Sequence, residues 1–358
     1  MSDPVPPHPR SSKTPVAATA VPAAVSNAVA GSPDLTALVR GERPFLWGLA
    51  LRITGSAADA DDVVQEAFAR FLSHPPADQG APLRPWLLRV VSRLAIDVLR
   101  RRRRTPYVGP WLPSPVPDPD AEPIGGEPTP TARYDVRESL TFGFLLALEA
   151  LTPQQRAVLV LRDVLDLDVR ETATALEMSD SNVKVVHLRG RRKLASYDRA
   201  RIDTSRAAQA RVQTALNQLL FAIVQQDVAA VARLLSPQVI LLNDGGGQYL
   251  AARKPVRGVQ SVSSFLVKVP RLGGAHGQFS GSLAQLAGQP CVVVTLLAPP
   301  ATPAPPESSR VAAPGSTKRP RPRIAPLSVL ALDVDADGRI TAIYNVLADR
   351  KLSALPAT

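Results

Sequence analysis

Apolar residues recur at a helical period from Asp34 onward: Leu35, Leu38, Leu46, Leu49 and Ile53 share one face, and Gly55 is placed to stop the run. Ser56 then stands where a helix cap is needed. Behind it Val63, Val64, Ala67, Phe68 and Phe71 form an apolar stripe opposite Asp59, Asp61, Asp62 and Glu66. After a Pro- and Gly-containing loop, a third amphipathic pattern runs from Pro85 with Leu87, Val91, Leu94 and Val98, and ends in five arginines, Arg100 to Arg104. Three such helices predict a small bundle over 34–104.

The helical pattern breaks over residues 105–133, where nine prolines fall between 105 and 130, too many for a helix or a central strand. The stretch reads as a proline-rich linker. Within it, Trp111 and Leu112 of GPWLPSPV are either stray apolar residues or a docking anchor. A second helical block covers 134–203 and contains the capping-box pattern Thr152-Pro-Gln-Gln155. From 207 the texture changes to one amphipathic helix followed by strand-like runs at Val239–Leu242, Cys291–Leu297, Leu327–Val334 and Ile340–Val346. Asp335 to Gly338 marks a hairpin between the last two. Residues 1–33 and 299–326 read as a disordered tail and a disordered insertion. The expected fold class is two all-α domains joined by the linker, followed by an α+β domain.

Composition narrows the function. The chain has 358 residues, enough for two or three domains, with 42 Lys and Arg against 31 Asp and Glu, a net charge of +11. Such a balance favours a polyanionic partner, either nucleic acid or an acidic membrane surface. The single cysteine, Cys291, rules out a disulfide or zinc framework and suits a reducing cytoplasm. No stretch supplies the roughly 20 apolar residues of a membrane span, and residues 1–33 never build the apolar core of a signal peptide. A soluble, cytoplasmic protein without membrane, metal or cofactor is expected.

The sharpest local pattern lies between Val169 and Leu194. A helix-turn-helix needs a small residue where its helices cross, which Ala173 supplies, and a cap for its second helix, which Ser179 supplies. On that second helix Val183, Val186, Gly190 and Leu194 face inward. Ser181, Asn182, Val185, Leu188, Arg189 and Arg192 point outward, and Lys184 lies beside them. The outward face is polar and basic, as a recognition helix in a major groove requires. His187 reads as a partly buried packing residue. Glu177 occupies the turn position that commonly holds glycine, at a cost of about 1 kcal/mol if the left-handed backbone is kept. The five arginines ending the first bundle exceed what a helix dipole asks for and suit phosphate contacts.

Taken in order, ADADDVVQEAFARF, RPWLLRVVSRLAIDVLRRRRR and LTPQQRAVLVLRDVLDLDVRETATALEMSDSNVKVVHLRGRRKL resemble the second and fourth regions of bacterial RNA polymerase sigma factors of the extracytoplasmic-function type. The resemblance implies core RNA polymerase and promoter DNA as partners. It puts Asp62, Gln65 and Glu66 against the polymerase clamp helices. It puts Arg84, Trp86, Arg89, Arg93, Asp97, Arg100, Arg101 and Arg103 at the minus-ten element, with a flipped base in the loop 75–83. Ser181, Asn182, Lys184, Val185, Leu188, Arg189 and Arg192 would read the minus-thirty-five element.

The C-terminal third resembles a SnoaL-like, ketosteroid-isomerase-like cone fused to a sigma factor, a subgroup marked by W-L-P, D-G-G-G-K and N-P-D-K-L motifs. Here Trp111, Leu112 and Pro113 match the first. Asp244, Gly245, Gly246 and Gly247 match the second, with Gln248 for Lys, and Lys351 and Leu352 alone agree at the third. The resemblance implies regulation in cis. Read from its residues, D-G-G-G is a turn of unusual backbone freedom, either structural or presenting amides to a partner. The cone could also hold an unknown small ligand. His276, Asp244 and Tyr249 are the few candidate acids or bases, joined by no local pattern, so no catalytic residue is assigned. Two alternatives stay open: a ligand-binding or isomerase-like protein with a helical targeting module, and an ordinary helix-turn-helix repressor.

Overall fold

A computed structural model describes residues 33–76, 82–117, 132–199, 203, 205–274, 278–286, 288–297 and 323–355. The tail 1–32, the tip 77–81 of the expected base-holding loop, linker residues 118–131, His276 and insertion residues 299–322 lie outside them. The end of the expected insertion, 323–326, is instead ordered against the sheet: the Arg323 and Pro326 carbonyls accept from the Leu250 and Leu296 amides at 2.8 Å, and Ala325 is buried.

Three helices open the described chain: α1 (Pro33–Thr54), α2 (Ala57–Ser73) and α3 (Leu83–Arg104). Leu46, Leu49 and Ile53 of α1, Val63, Val64 and Phe68 of α2, and Leu87, Val91 and Leu99 of α3 are buried. Ser56 caps α2 by accepting from the Asp59 amide. A second helical set follows: α4 (Phe142–Ala147), α5 (Pro153–Leu159), α6 (Val169–Leu176), α7 (Asp180–Lys193) and α8 (Ala195–Arg199). Thr152 and Gln155 form the anticipated capping box at the start of α5. A single π-helical turn, Val160–Val164, extends α5 toward α6.

The C-terminal part is α+β. Helices α9 (Arg206–Val224), α10 (Val228–Leu234) and α11 (Val259–Gly274) accompany strands β1 (Leu235–Asp244), β2 (Val256–Arg257), β3 (Gln278–Leu286), β4 (Gln289–Leu297), β5 (Leu327–Val334) and β6 (Ile340–Val346). The sheet order is β2-β1-β6-β5-β4-β3, with β1 and β6 parallel and the other pairs antiparallel. Alternation along the strands sorts side chains to two faces. Val239, Leu241, Leu330 and Leu332 pack under Leu216, Leu219, Val231 and Val262 of the helices. On the opposite face Val329, Ala331, Tyr344 and Val346 meet Leu112 of the proline-rich stretch and Phe142 of α4. The Phe142 ring stacks on Tyr344 with centroids 5.5 Å apart. A sheet with a helix layer on one face is the cone expected from the sequence, and here its second face is covered by the preceding helical segments.

Residues 112–116 depart from the solvated linker that their prolines suggest, because all five are buried. Proline brings no N–H that burial would leave unpaired, so an extended Pro-rich strip can lie in a core at low polar cost. The donors that remain find partners. Ser114 donates its amide to the Gly55 carbonyl at 2.9 Å, and its hydroxyl oxygen accepts from the Ala57 amide at 3.0 Å. Gly55 is held at φ +72°, and a Cβ there would stand 2.5 Å from Cη2 of Trp111. That glycine therefore both stops α1 and leaves room for the indole.

Candidate functional site: a recognition helix, an arginine helix and a buried junction

The α6–α7 pair is built by local signals. Asp168 and Glu171 form a capping box at the start of α6, Glu177 ends it at φ 52° and ψ 50°, and Ser179 caps α7 by accepting from the Asn182 amide. Thus Glu177 keeps the left-handed turn without glycine. Ala173, Val183 and Val158 close a small core between the helices. Val183, Gly190 and Leu194 are buried and Val186 is half-buried. Ser181, Asn182, Lys184, Val185, Leu188, Arg189 and Arg192 are all exposed. Two of them are large apolar side chains, with Val185 44% and Leu188 52% exposed, which a buried face would not leave in solvent. Lys184, Arg189 and Arg192 pair with no acid among the described residues. His187 packs as expected, its Nε2 2.9 Å from Oδ1 of Asp163.

On α2 and α3 the residues singled out from the sequence are mostly engaged within the chain. Asp62 and its neighbour Asp59 both take the Arg350 guanidinium at 3.3 Å, while Glu66 holds Arg70 at 2.8 Å and Gln65 is exposed. Asp61, on the same helix, pairs with Arg43 at 2.9 Å; burial pushes its carboxyl up, against the pull of that guanidinium. Along α3, Arg84 pairs with Glu42 at 2.9 Å and Arg93 with Glu177 at 2.7 Å. Asp97 and Arg100 pair with each other at 3.0 Å. Trp86 meets Phe71 edge-on. Arg101 is exposed, Arg89 is half-buried with no partner for its Nε, and Arg103 donates to the Leu151 carbonyl.

Three arginines join the helical segments from inside: Arg52 and Arg156, which sequence patterning did not single out, and Arg102, which the run Arg100 to Arg104 offers for phosphate contact but which the structure turns onto partners of its own chain. Arg102 donates to the Thr54 carbonyl at 2.7 Å, forks onto Glu149 at 2.6 and 2.8 Å, and lies 3.9 Å over the Trp111 ring. Glu149 also takes Arg156. Burial works to raise the Glu149 carboxyl, but Arg156 and Arg102 outweigh it and hold it below the usual range. Arg156 is buried and pulled down to about 10 by that burial. Arg52 reaches Ser139 Oγ at 2.8 Å and the Val136 carbonyl at 3.1 Å. No local pattern announces such wedges, since an arginine on an apolar stripe looks like a solvated one until its distant partners are known.

The three short motifs meet at one point. Asp244, fully buried at the end of β1, accepts from the Leu112 amide at 2.7 Å, the Tyr107 hydroxyl at 2.5 Å and the Gly246 amide at 3.2 Å. Lys351 donates to the same carboxylate and to the Leu112 carbonyl, and its ammonium sits 4.0 Å over the Trp111 ring. Burial holds Lys351 down to about 8, against Asp244, and burial and then Asp244 push the Tyr107 hydroxyl far above its ordinary range. The glycines are needed for contact as well as for turn geometry. Gly246 and Gly247 have φ of +56° and +76°, and a Cβ at Gly247 would come 3.1 Å from that of Val108. Of the open readings of D-G-G-G, the structure favours a seat for the linker, and Pro113 and Leu352 are buried beside it. Asp244 is thereby a fixed ion-pair partner, walled off from any substrate. Tyr249 donates to Asp349 at 2.7 Å.

Family models for sigma-70 region 2 and sigma-70 region 4 match residues 38–105 and 142–194. The chain is 34% identical over 242 residues to the ECF RNA polymerase sigma factor SigJ of Mycobacterium tuberculosis, covering 65% of this chain and 74% of SigJ. It is 31% identical over 164 residues to the probable ECF RNA polymerase sigma factor SigI of the same species, covering 45% of this chain and 54% of SigI. The crystal structure of Mycobacterium tuberculosis SigJ matches with a TM-score of 0.61 at 26% identity, covering 90% of this chain and all of that one.

Proposed function

The chain belongs to the extracytoplasmic-function RNA polymerase sigma factors, and on that premise we propose how its parts divide the work of promoter-directed initiation. Residues 34–104 would bind core RNA polymerase through Asp62, Gln65 and Glu66, and engage the minus-ten element through Arg84, Trp86, Arg89, Arg93, Asp97, Arg100, Arg101 and Arg103. Residues 134–203 would read the minus-thirty-five element with the outward face of α7. Polar side chains at the N-terminal end of α7 would address base edges, and Lys184, Arg189 and Arg192 would address phosphates. The observation that carries this assignment is the solvent-facing set of cations, paired with no acid among the described residues, on a helix-turn-helix whose inner face packs through Val183, Gly190 and Leu194. The work is binding and strand capture without covalent chemistry, in the cytoplasm where polymerase and promoter DNA are found.

The cone, residues 207–358, would restrain the factor in cis. Arg350 lies against Asp59 and Asp62, and Lys351 pins the linker through Asp244, so one short turn reaches both the polymerase-binding helix and the linker. The test is transcription by purified core polymerase on a target promoter. The full chain should give promoter-specific initiation, and Arg350→Ala should raise core-polymerase affinity, whereas Asp62→Ala should lower it with the fold intact. No promoter-specific transcript from the full chain or from a version ending near Arg206 would overturn the division. Equal polymerase affinity in Arg350→Ala would remove the restraint.

A further inference from the structure

The cone contains an apolar cavity of about 630 Å³ between its sheet and its helices, walled by Leu220, Leu241, Phe265 and Val294 among others. That size lies within the range that holds small organic ligands. None of its described lining residues is titratable, so the walls offer neither acid nor base. Polarity is confined to uncharged groups, and one of these is incomplete. Asn243 on β1 and Asn345 on β6 stand opposite each other in the parallel pair, and Asn345 donates its amide to Oδ1 of Asn243 at 3.1 Å. In this pairing the Nδ2 end of the Asn243 amide is the one left over. Its Nδ2 is buried without a hydrogen-bond partner among the described residues, on a residue only 3% exposed that lines the cavity. An unmet buried donor is costly, and the cavity gives a ligand room to meet it.

We propose that this cavity binds a neutral, largely apolar small molecule carrying one hydrogen-bond acceptor, a carbonyl or hydroxyl oxygen, that takes the free Nδ2 of Asn243. The apolar walls exclude a charged ligand, because nothing in them would compensate its desolvation. The unmet Asn243 donor sets the preference for one acceptor. The site is proposed for binding, since among the described residues that line it none can move a proton. This inference stands apart from the regulatory reading of the cone: it concerns the helix-covered face of the sheet, while the linker sits on the other.

Two measurements on the full chain test it. Nile red, neutral and carbonyl-bearing, should bind saturably with one-to-one stoichiometry and gain fluorescence. Val294→Phe, which fills the cavity from β4, should abolish that binding at unchanged melting temperature. Competition against Nile red should then rank fluorenone above fluorene, two molecules of like shape that differ by the carbonyl. The preference should be about threefold to tenfold in the natural chain, the worth of one hydrogen bond, and near unity in Asn243→Leu. The fluorenone comparison needs no variant, so a misfolded Val294→Phe leaves the test standing. Absence of saturable Nile red binding, or saturable binding unaffected in folded Val294→Phe, overturns the site. Equal affinity for fluorenone and fluorene overturns the ligand class and returns the Asn243 donor to a trapped water.

Discussion

On α7 the side chains of Lys184, Arg189 and Arg192 stand in solvent with no described acid beside them, whereas on α3 Arg84, Arg93, Arg100 and Arg103 each already hold an acid or a carbonyl of the same chain. A phosphate approaching α7 displaces water and counterions. A phosphate approaching α3 must also replace an internal partner. The ion pairs on α3 are solvent-exposed, and pairs of that kind contribute about 0–1 kcal/mol each. On the proposed division they would favour contact through α7 first, and they do not lock α3 by themselves. The stronger hold lies underneath, in the Arg102–Glu149–Arg156 cluster and the Asp244–Lys351 junction, where Arg156, Asp244 and Lys351 are buried, Arg102 and Glu149 are half-buried, and each has several partners.

The largest test of this contrast strikes the junction. Asp244→Ala leaves the Lys351 ammonium buried without its counter-charge and strips the Leu112 amide and Tyr107 hydroxyl of their acceptor. Removing one member of a buried pair costs on the order of 3–5 kcal/mol. Urea unfolding followed by Trp111 fluorescence should register that loss, while minus-thirty-five binding by the residual folded protein stays unchanged. A loss below about 1 kcal/mol would mean that the junction does not hold the linker.

A smaller effect follows from Lys351. Its proton leaves at about pH 8 in the folded chain and at 10.5 for an ordinary lysine. Between those values the unfolded chain binds more protons, so stability rises with pH there, and the contribution is lost again as pH falls through 8. Relative to Lys351→Met, which cannot titrate, the natural chain should therefore gain on the order of 2 kcal/mol between pH 8 and 10.5. Parallel stability curves for the two proteins would show that the ammonium is better solvated than its burial implies. The sign also says that the junction gives up solvation energy at neutral pH. It fixes where the linker sits more than it strengthens the fold.

On the open side, Arg192→Ala should weaken minus-thirty-five binding and reduce the slope of log affinity against log salt by about one, the signature of one lost phosphate contact. The fold should hardly change, because the side chain is exposed and has no acid partner among the described residues. An unaltered slope would place Arg192 away from the phosphates.

The same contrast explains what was legible in the sequence. The recognition helix could be read almost residue by residue because its signals are local: a small residue at Ala173, a cap at Ser179 and a 3.6-residue period that put Val183 and Gly190 inside. Strands β5 and β6 were equally plain, being apolar runs around a glycine turn. Strand β3, Gln278–Leu286, gave no such sign, since Ser280, Gly281 and Ser282 occupy the middle of an edge strand where one neighbour suffices. The motifs Trp111-Leu-Pro, Asp244-Gly-Gly-Gly and Lys351-Leu could be seen singly, but not that they meet. The Tyr107–Asp244 bond spans 137 residues and the Asp62–Arg350 pair 288. Periodicity carries no information about such pairings. Counting prolines misjudged residues 112–116 for a related reason: proline content says what backbone is possible and leaves open whether it is covered.

The finest test separates the two sides at a single residue. Glu177 belongs to both, for it makes the turn before α7 and its carboxylate holds Arg93 of α3. Glu177→Gly acts on each through a different term. Glycine relieves the left-handed backbone at φ 52°, a gain of about 1 kcal/mol, and gives back part of it through the greater freedom of the unfolded chain. Loss of the exposed ion pair subtracts another fraction of a kcal/mol. The net change in stability should stay within about 1 kcal/mol of zero, while Arg93 is freed for a phosphate. Binding to a minus-ten single strand should therefore tighten with stability nearly constant. Were the affinity unchanged, the internal partners on α3 would be incidental, and the restraint would reside in the buried junction alone.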